Sequence, residues 1–381
     1  MSNSFSINIL TKDLVHGLGF AGGVIEKKPA RQILGNVKLE AKDSNLYITG
    51  TSSDITVKLY IPAEVIKEGS TTVDILTFLE IVRKISDKSF CLAYNDETSE
   101  IEVKCENFVS HISTLPSSEF PSLDNEANYE GIFDIEAKLL FRLIKNSEFA
   151  ISTEETRYNL NGIFFNCSQS GILNSTALDG HRLSTISEKK EDIPFFGVII
   201  HKRTVSELHK LLKDNLYADS MVRVSYDSNR ISFATQNIEI SSKLVDATFP
   251  EYKSFLPEKS NNKLTIDPKS LIDVVDRVST ITQDKYRAIK LRITENSIEI
   301  SAFGESKGNA REVINNDSGT QKFIYEGDPL DIGFNPSYLI DILKNCDESE
   351  IDILLNTSLD PIILKPITHE EDRYLIMPMK V

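Results

Sequence analysis

His111-Ile-Ser-Thr-Leu-Pro116, Ser242-Lys-Leu-Val-Asp246 and Tyr374-Leu-Ile-Met-Pro378 each close one copy of a pattern that the 381-residue chain writes three times. Ahead of each closing strand lie an apolar strand, a short amphipathic helix, several alternating strands, a second short helix and more strands. The first helices open around Leu14, Leu139 and Leu271. The second helices carry an acidic residue followed by an apolar one, at Glu80-Ile81, Glu207-Leu208 and Asp341-Ile342. The period is about 127 residues, the size of a domain rather than a solenoid unit. Three domains are therefore expected, at 1–126, 127–257 and 258–381. Their joints are Phe120-Pro121-Ser-Leu and Phe249-Pro250-Glu-Tyr, the latter leading to Pro257, because proline fixes φ and ends strand pairing. The fold class is α+β: each copy reads as two small β-sheet units with one helix apiece, the helices covering one side of the sheets. A surface repeated three times is a poor place for a single active site.

Composition narrows the field. With 40% hydrophobic and 26% charged residues the chain has the make-up of a soluble globular protein. Its longest strongly apolar run, Phe195–Ile200, is far short of the roughly 20 residues a membrane helix needs. The opening Met1-Ser-Asn-Ser-Phe-Ser lacks the basic and apolar regions of a signal peptide. Cys91, Cys105, Cys167 and Cys346 are scattered and form no CxxC pair, which fits reduced thiols in a cytoplasm. The six histidines form no metal-spaced cluster, so neither a metal nor another cofactor is expected.

A net charge of −15 argues against nucleic acid until the cations are placed. Lys138, Arg142 and Lys145 recur at i, i+4 and i+7, sharing one helical face. Lys202, Arg203, Lys210 and Lys213 stand against a single Glu207 on the second helix of that copy. Lys27, Lys28, Arg31, Arg83 and Lys84 occupy the first copy, and Arg277, Lys285, Arg287 and Lys344 the third. Recurrence on equivalent helices points to a basic lining within an acidic protein. That arrangement attracts phosphate in one place and repels it elsewhere.

Three motifs have competing explanations. Gly17-Leu-Gly19-Phe-Ala-Gly22 matches a dinucleotide-binding pattern, but a helix-like segment, Lys12–Leu18, overlaps it where a strand should precede it. Asp179-Gly-His181-Arg182 could be a structural turn, a binding surface, or a general base for a hydrolase or transferase. Met377 and Met379, two of only four methionines, suit either a final core strand or a surface that accepts several partners.

Taken together, Arg157-Tyr-Asn-Leu-Asn-Gly162, Leu178-Asp-Gly-His-Arg-Leu183, Ser242–Asp246 followed by Phe249-Pro-Glu-Tyr252, Ile332-Gly-Phe-Asn-Pro-Ser-Tyr338 and the terminal Met377-Pro-Met-Lys380 resemble the β sliding clamp family, the β subunit of bacterial DNA polymerase III. The resemblance runs the length of the chain. It implies three clamp domains, a head-to-tail homodimer forming a closed ring, helices lining the hole, no catalysis, and a cytoplasmic protein. The ring would encircle double-stranded DNA and tether the polymerase III α subunit. Its other implied partners are the clamp-loader δ subunit and further polymerases and repair proteins that carry clamp-binding peptides.

Carried over by motif, the peptide pocket would be lined by Leu160, Leu178, Gly180, His181, Arg182, Leu183, Pro250, Ser254, Phe255, Leu375, Met377, Pro378 and Met379. Leu178 stands where a Thr is common, and Ser254 and Phe255 where Arg and Val are, which implies a more apolar floor and an altered peptide preference. DNA contact would fall to Lys28, Arg142, Lys145, Tyr158, Lys202 and Arg203. Lys28 replaces an Arg, Asn159 a second Tyr, and Glu154 a Gln. Ile112 and Ile281 match apolar positions of the ring-closing surface, whereas Ser110 replaces a Phe.

Overall fold

The computed structural model describes the chain apart from residues 1–3, 27, 87–88, 122–128, 258, 283–287, 305–306, 317–321, 347 and 381. Its helices are α1 (Thr11–Gly23), α2 (Ile75–Arg83), α3 (Ala137–Glu148), α4 (Lys202–Lys213), α5 (Pro268–Ser279) and α6 (Pro336–Asn345). Their order repeats three times. Strands Ser6–Leu10, Gly131–Glu136 and Asn262–Ile266 run straight into or up to α1, α3 and α5, and strands Gly69–Asp74, Phe196–His201 and Leu330–Phe334 lead to α2, α4 and α6.

Local chemistry starts these helices where they start. Asp74 caps α2 by accepting from the Thr77 N–H, and Asp267 caps α5 through the Lys269 and Ser270 amides. Asn335 caps α6 at the Ser337 N–H, and Pro268 and Pro336 occupy the first turns of α5 and α6, where a missing N–H costs nothing. Apolar residues at helical spacing then choose the buried side: Val205, Leu208, Leu211 and Leu212 on α4, Leu271, Val274, Val275 and Val278 on α5. Burying one such side chain is worth about 2 kcal/mol.

The glycine motif lies inside α1. A side chain on Gly17 would put its Cβ 2.9 Å from Leu59 Cδ1, and one on Gly50 would put it 2.0 Å from the Ala21 carbonyl oxygen. These glycines let the helix sit directly on its sheet; they do not cradle phosphate.

Contacts divide the chain into two compact units, residues 1–141 with 203–244, and residues 142–202 with 245–381. The units do not follow the thirds, because sheets run across them. In the first unit, strand Ile238–Lys243 pairs antiparallel with strand Ile55–Pro62, from Ile238 opposite Leu59 to Ser242 opposite Ile55. That joint merges strands of the first and middle copies into one 13-stranded sheet. In the second unit, strand Arg182–Lys189 pairs with Arg373–Ile376, merging strands of the middle and last copies into a nine-stranded sheet. A four-stranded sheet packs against α5 in the same unit. The small separate sheets expected from sequence are thus fused through edge strands that find partners in the neighbouring copy. The expected joint between 126 and 127 lies outside the described residues, while Pro250 and Pro257 flank a short helical turn, Tyr252–Phe255.

Candidate functional site

In the second unit, strands Ile172–Leu178 and Arg182–Lys189 form a hairpin closed by Asp179, Gly180 and His181. The Asp179 carboxylate builds the turn. Its Oδ1 accepts the His181 and Arg182 amides, each at 2.9 Å, while the Asp179 N–H donates to the Arg182 carbonyl at 3.2 Å. Gly180 adopts φ +91°, and a Cβ there would lie 2.7 Å from Arg157 Nη1.

Sheet register brings the C-terminal tail to this turn. Leu183 faces Leu375 and Arg182 faces Ile376, so the next residue, Met377, donates its N–H to the His181 carbonyl at 2.8 Å. Beneath turn and tail lies a buried apolar cluster: Leu160, Leu178, Leu183, Phe249, Tyr252 and Leu375 with Ile199 and Ile363. Phe164 stacks on Phe249 at 5.0 Å between ring centres and packs against the cluster. Around this floor, Gly180, His181, Ser254 and Phe255 are exposed, Met377 is 42% exposed, and Pro250, Pro378 and Met379 are half-buried. Every residue expected in the pocket falls in this one unit; Leu160, Leu178, Leu183 and Leu375 belong to the buried cluster, and a backbone hydrogen bond joins His181 to Met377. Leu178 belongs to the floor, where it is buried.

Arg182 braces the turn from behind. Its Nε bonds to Asp179 Oδ2 at 3.0 Å and its Nη1 to Asp341 Oδ2 at 2.6 Å. The guanidinium carbon lies 4.7 Å from the Tyr338 ring centre and 5.4 Å from that of Phe149. Only 13% of the side chain is exposed. His181 stacks on Tyr338 at 6.1 Å. Burial pushes the Tyr338 hydroxyl above its ordinary range, with the Asp179 charge adding to it. Both Asp179 oxygens are committed to the turn and to Arg182, so Asp179 is not set to orient His181 as a base. This arrangement gives no support to a hydrolase or transferase centred on Asp179, His181 and Arg182. Sequence reasoning missed Phe149, Tyr338 and Asp341 as supports. Tyr338 closes the Ile332–Tyr338 motif, and Asp341 is the acidic residue of α6 in the repeat, but neither signal says what the side chain touches.

The proposed DNA positions are placed unevenly. Lys28 is exposed just past α1, Tyr158 is 60% exposed, and Lys145 and Lys202 are half-buried on α3 and at the start of α4. Arg203 is turned to its own unit, donating from Nη2 to the Val24 carbonyl at 2.6 Å. Arg142 departs from expectation. Its Nη1 donates to Asp372 Oδ2 at 2.7 Å, and its Nη2 to the Ser187 carbonyl and Glu188 Oε2, both at 2.9 Å. Asp372 also accepts the Ser187 N–H and is fully buried. Burial holds the Asp372 carboxyl above its ordinary value, although the Arg142 charge and the Ser187 amide pull against it. Arg142 is thus a strut between α3 and the approach to the tail, with its charge neutralised inside the fold.

On the expected ring-closing surface, Ile112 is 7% exposed and turned inward, so it has little apolar area to offer; Phe108 and Val109 on the same strand are exposed. Ile281 is half-buried.

With the fold and site in view, the chain can be set beside known proteins. Family profiles described as the N-terminal, central and C-terminal domains of the DNA polymerase III beta subunit match residues 5–124, 134–251 and 253–380. The architecture is the α+β DNA-clamp fold: the sliding clamp of Bartonella birtlesii superposes with a TM-score of 0.92 at 30% identity, covering 99% of this chain and 100% of that one. The Bacillus subtilis clamp gives a TM-score of 0.90 at 26% identity, with 99% of each chain covered. The beta sliding clamp of Rickettsia bellii is 39% identical over 378 residues, spanning 97% of this chain and 98% of that protein, and the Escherichia coli clamp is 29% identical over 373 residues with the same shares covered. The chain belongs to the β sliding clamp family, the beta subunits of DNA polymerase III.

Proposed function

We propose that the chain acts as a non-catalytic, three-domain clamp, divided near residues 126 and 257, that closes as a homodimer around duplex DNA and tethers the replicative polymerase in the cytoplasm. Tethering raises the polymerase's effective concentration at the primer end without any new chemistry. The observation that carries this reading is the meeting of the Asp179–Arg182 turn with the Met377–Met379 tail over a buried leucine floor. Such a floor with an adaptable methionine rim suits a short extended peptide with apolar anchors. Partners entering by this route would be the polymerase III α subunit, the clamp-loader δ subunit, and other polymerases and repair proteins carrying such peptides. Among the described residues no helix is long and apolar enough to cross a membrane.

Ring closure is supported by two strands with an open side. In the strand Phe108–Leu115, Phe108–Ser113 pairs with Glu100–Cys105, and among the described residues its other side is paired only at Thr114 and Leu115. Gly308–Asn315 ends the four-stranded sheet. One edge lies in each unit and both are eight residues long, which suits a heterologous contact repeated twice in a closed pair. Ile281 and the edge of the Ile112 strand, rather than the Ile112 side chain, would form that contact. Lys28, Lys145, Tyr158 and Lys202 are the phosphate-facing candidates.

The test is fluorescence anisotropy with a labelled Gln-Leu-Ser-Leu-Phe peptide, a short extended segment whose leucines and phenylalanine supply the apolar anchors. Met377→Ala should weaken binding about tenfold, the loss of one apolar rim contact that the peptide would cover; unchanged affinity removes the tail from the pocket. Independently, the protein loaded on nicked circular DNA should slide off when the circle is cut, and retention that survives linearisation argues against encirclement.

A further inference from the structure

Beyond Met379 the tail continues onto a second surface. The Met379 N–H donates to the Gly333 carbonyl at 2.7 Å, and Gly333 stands opposite Lys290 in the sheet. The tail is therefore laid alongside the four-stranded sheet, and its next residue, Lys380, lines a trough of about 650 Å³ on it. Phe303, Ala302 and Ala310 supply apolar lining, and Lys290, Arg311 and Lys380 the cations. Phe303 is 70% exposed, an aromatic ring with a face to offer.

The charge here opposes the rest of the molecule. The chain carries −15, yet Lys290, Arg292, Arg311 and Lys380 gather where Asp331 and Glu299 are the facing acids. Lys290 bonds Asp331 at 2.7 Å and Arg311 bonds Glu299 at 2.6 Å, but these pairs are part-exposed at the surface, so exchanging them for an incoming carboxylate costs little. An acidic chain is repelled by most of this protein and accepted here.

We propose that this trough is a second docking site, taking the acidic stretch of a partner protein that flanks its pocket peptide. One apolar residue of that stretch would rest on Phe303, with carboxylates on Lys290 and Lys380. The assignment rests on the peptide-pocket reading, because the same tail serves both places. Three residues of chain, at most about 10 Å, separate Met377 from Lys380, so a partner needs a bridge of similar length.

Binding of seven labelled peptides to the full-length protein at low salt decides the matter. They are the short pocket peptide and the same peptide extended at either end by Asp-Asp-Leu-Glu, by Ser-Gly-Ser-Gly or by Lys-Lys-Leu-Lys. The acidic extension at one end should tighten binding about fivefold, the worth of two exposed ion pairs. The neutral extension should not help, and the basic one should weaken binding. Lys290→Ala with Lys380→Ala, and separately Phe303→Ser, should erase the gain while leaving the short peptide unaffected. No gain at either end, or a gain that survives both variants, overturns the trough. A short peptide that fails to bind, or binds Met377→Ala equally well, overturns the pocket itself and this flanking role with it. A normal short-peptide response beside a missing extension effect overturns the trough alone.

Discussion

Asp179-Gly-His-Arg182 in the second unit and Asp227-Ser-Asn-Arg230 in the first are hairpin turns of the same design. In each the aspartate N–H donates to the arginine carbonyl, at 3.2 and 3.0 Å, and Oδ1 of the aspartate accepts the amides two and three residues on. What arrives next to them differs. The first turn receives the Met377 amide at His181, and its arginine is held between Phe149 and Tyr338 with Asp341 on its far end. The second receives the Leu244 N–H at the Asn229 carbonyl, and Ser228 and Asn229 stay exposed. One local motif thus makes a braced wall in one place and a plain surface turn in another. The difference comes from Phe149 upstream and from α6 and the tail, more than 140 residues downstream.

The sharpest way to break this comparison is to remove the strut behind the braced turn. Arg142→Ala strands the buried Asp372 carboxylate and should cost about 3 kcal/mol in denaturant unfolding. Because burial already raises the Asp372 pKa, the folded state favours its protonated form. Removing Arg142 takes away a charge that opposes this rise, so the deficit should shrink as pH falls towards the carboxyl range, and a deficit that grows on acidification contradicts this.

Next in size, Arg182→Ala should cost about 2 kcal/mol through two aromatic contacts and a part-buried ion pair. It should also weaken pocket-peptide binding. Arg230→Ala should stay within about 0.5 kcal/mol and leave peptide binding alone. Equal losses at the two arginines would show that the turns are equivalent after all. Gly180→Ala, at positive φ and against Arg157, should cost about 1 kcal/mol, whereas Ser228→Ala should be close to neutral, as differential scanning calorimetry can resolve.

The smallest effect sits in the first unit. His16 Nε2 lies 2.7 Å from Asp214 Oδ2, tying α1 to the end of α4. Burial pushes Asp214 up, but the His16 bond and the Leu216 amide outweigh it and the net shift is downward. Its contribution is therefore complete above the ordinary carboxyl value of about 4 and is lost as pH falls through the depressed one. His16→Ala should flatten the acid limb of the melting-temperature profile; an unchanged limb assigns that limb to other carboxylates.

These contrasts mark where sequence reasoning succeeds. The leucine spacing on α1, α3 and α5 and the turn-forming Asp179 are legible because periodicity and Asx chemistry are local. The helical glycine motif was separable from a phosphate loop for the same reason. Arg142 was not legible: a cation at i+4 between two lysines reads as solvated, and its partner is 230 residues away. Sheet fusion was also hidden, since which edge strand meets Ile55–Pro62 depends on the register of strands far apart in the chain. Ile112 aligns with an apolar interface position by motif, yet its inward turn follows from the pairing of its own sheet. The expected pocket residues fall in one unit, but the supports behind them, Phe149, Tyr338, Asp341 and the Arg142–Asp372 pair, came only from the packing of distant elements.

The ladder between Ile238–Lys243 and Ile55–Pro62 carries one more consequence. It ties the first copy to the middle one by a route independent of the covalent chain. A protease cut between Pro121 and Tyr129 would sever the peptide connection and leave five facing residue pairs in place, from Ile238–Leu59 to Ser242–Ile55. The two fragments should co-elute under native conditions and separate only in denaturant. In this molecule, chain continuity and mechanical integrity are separate properties.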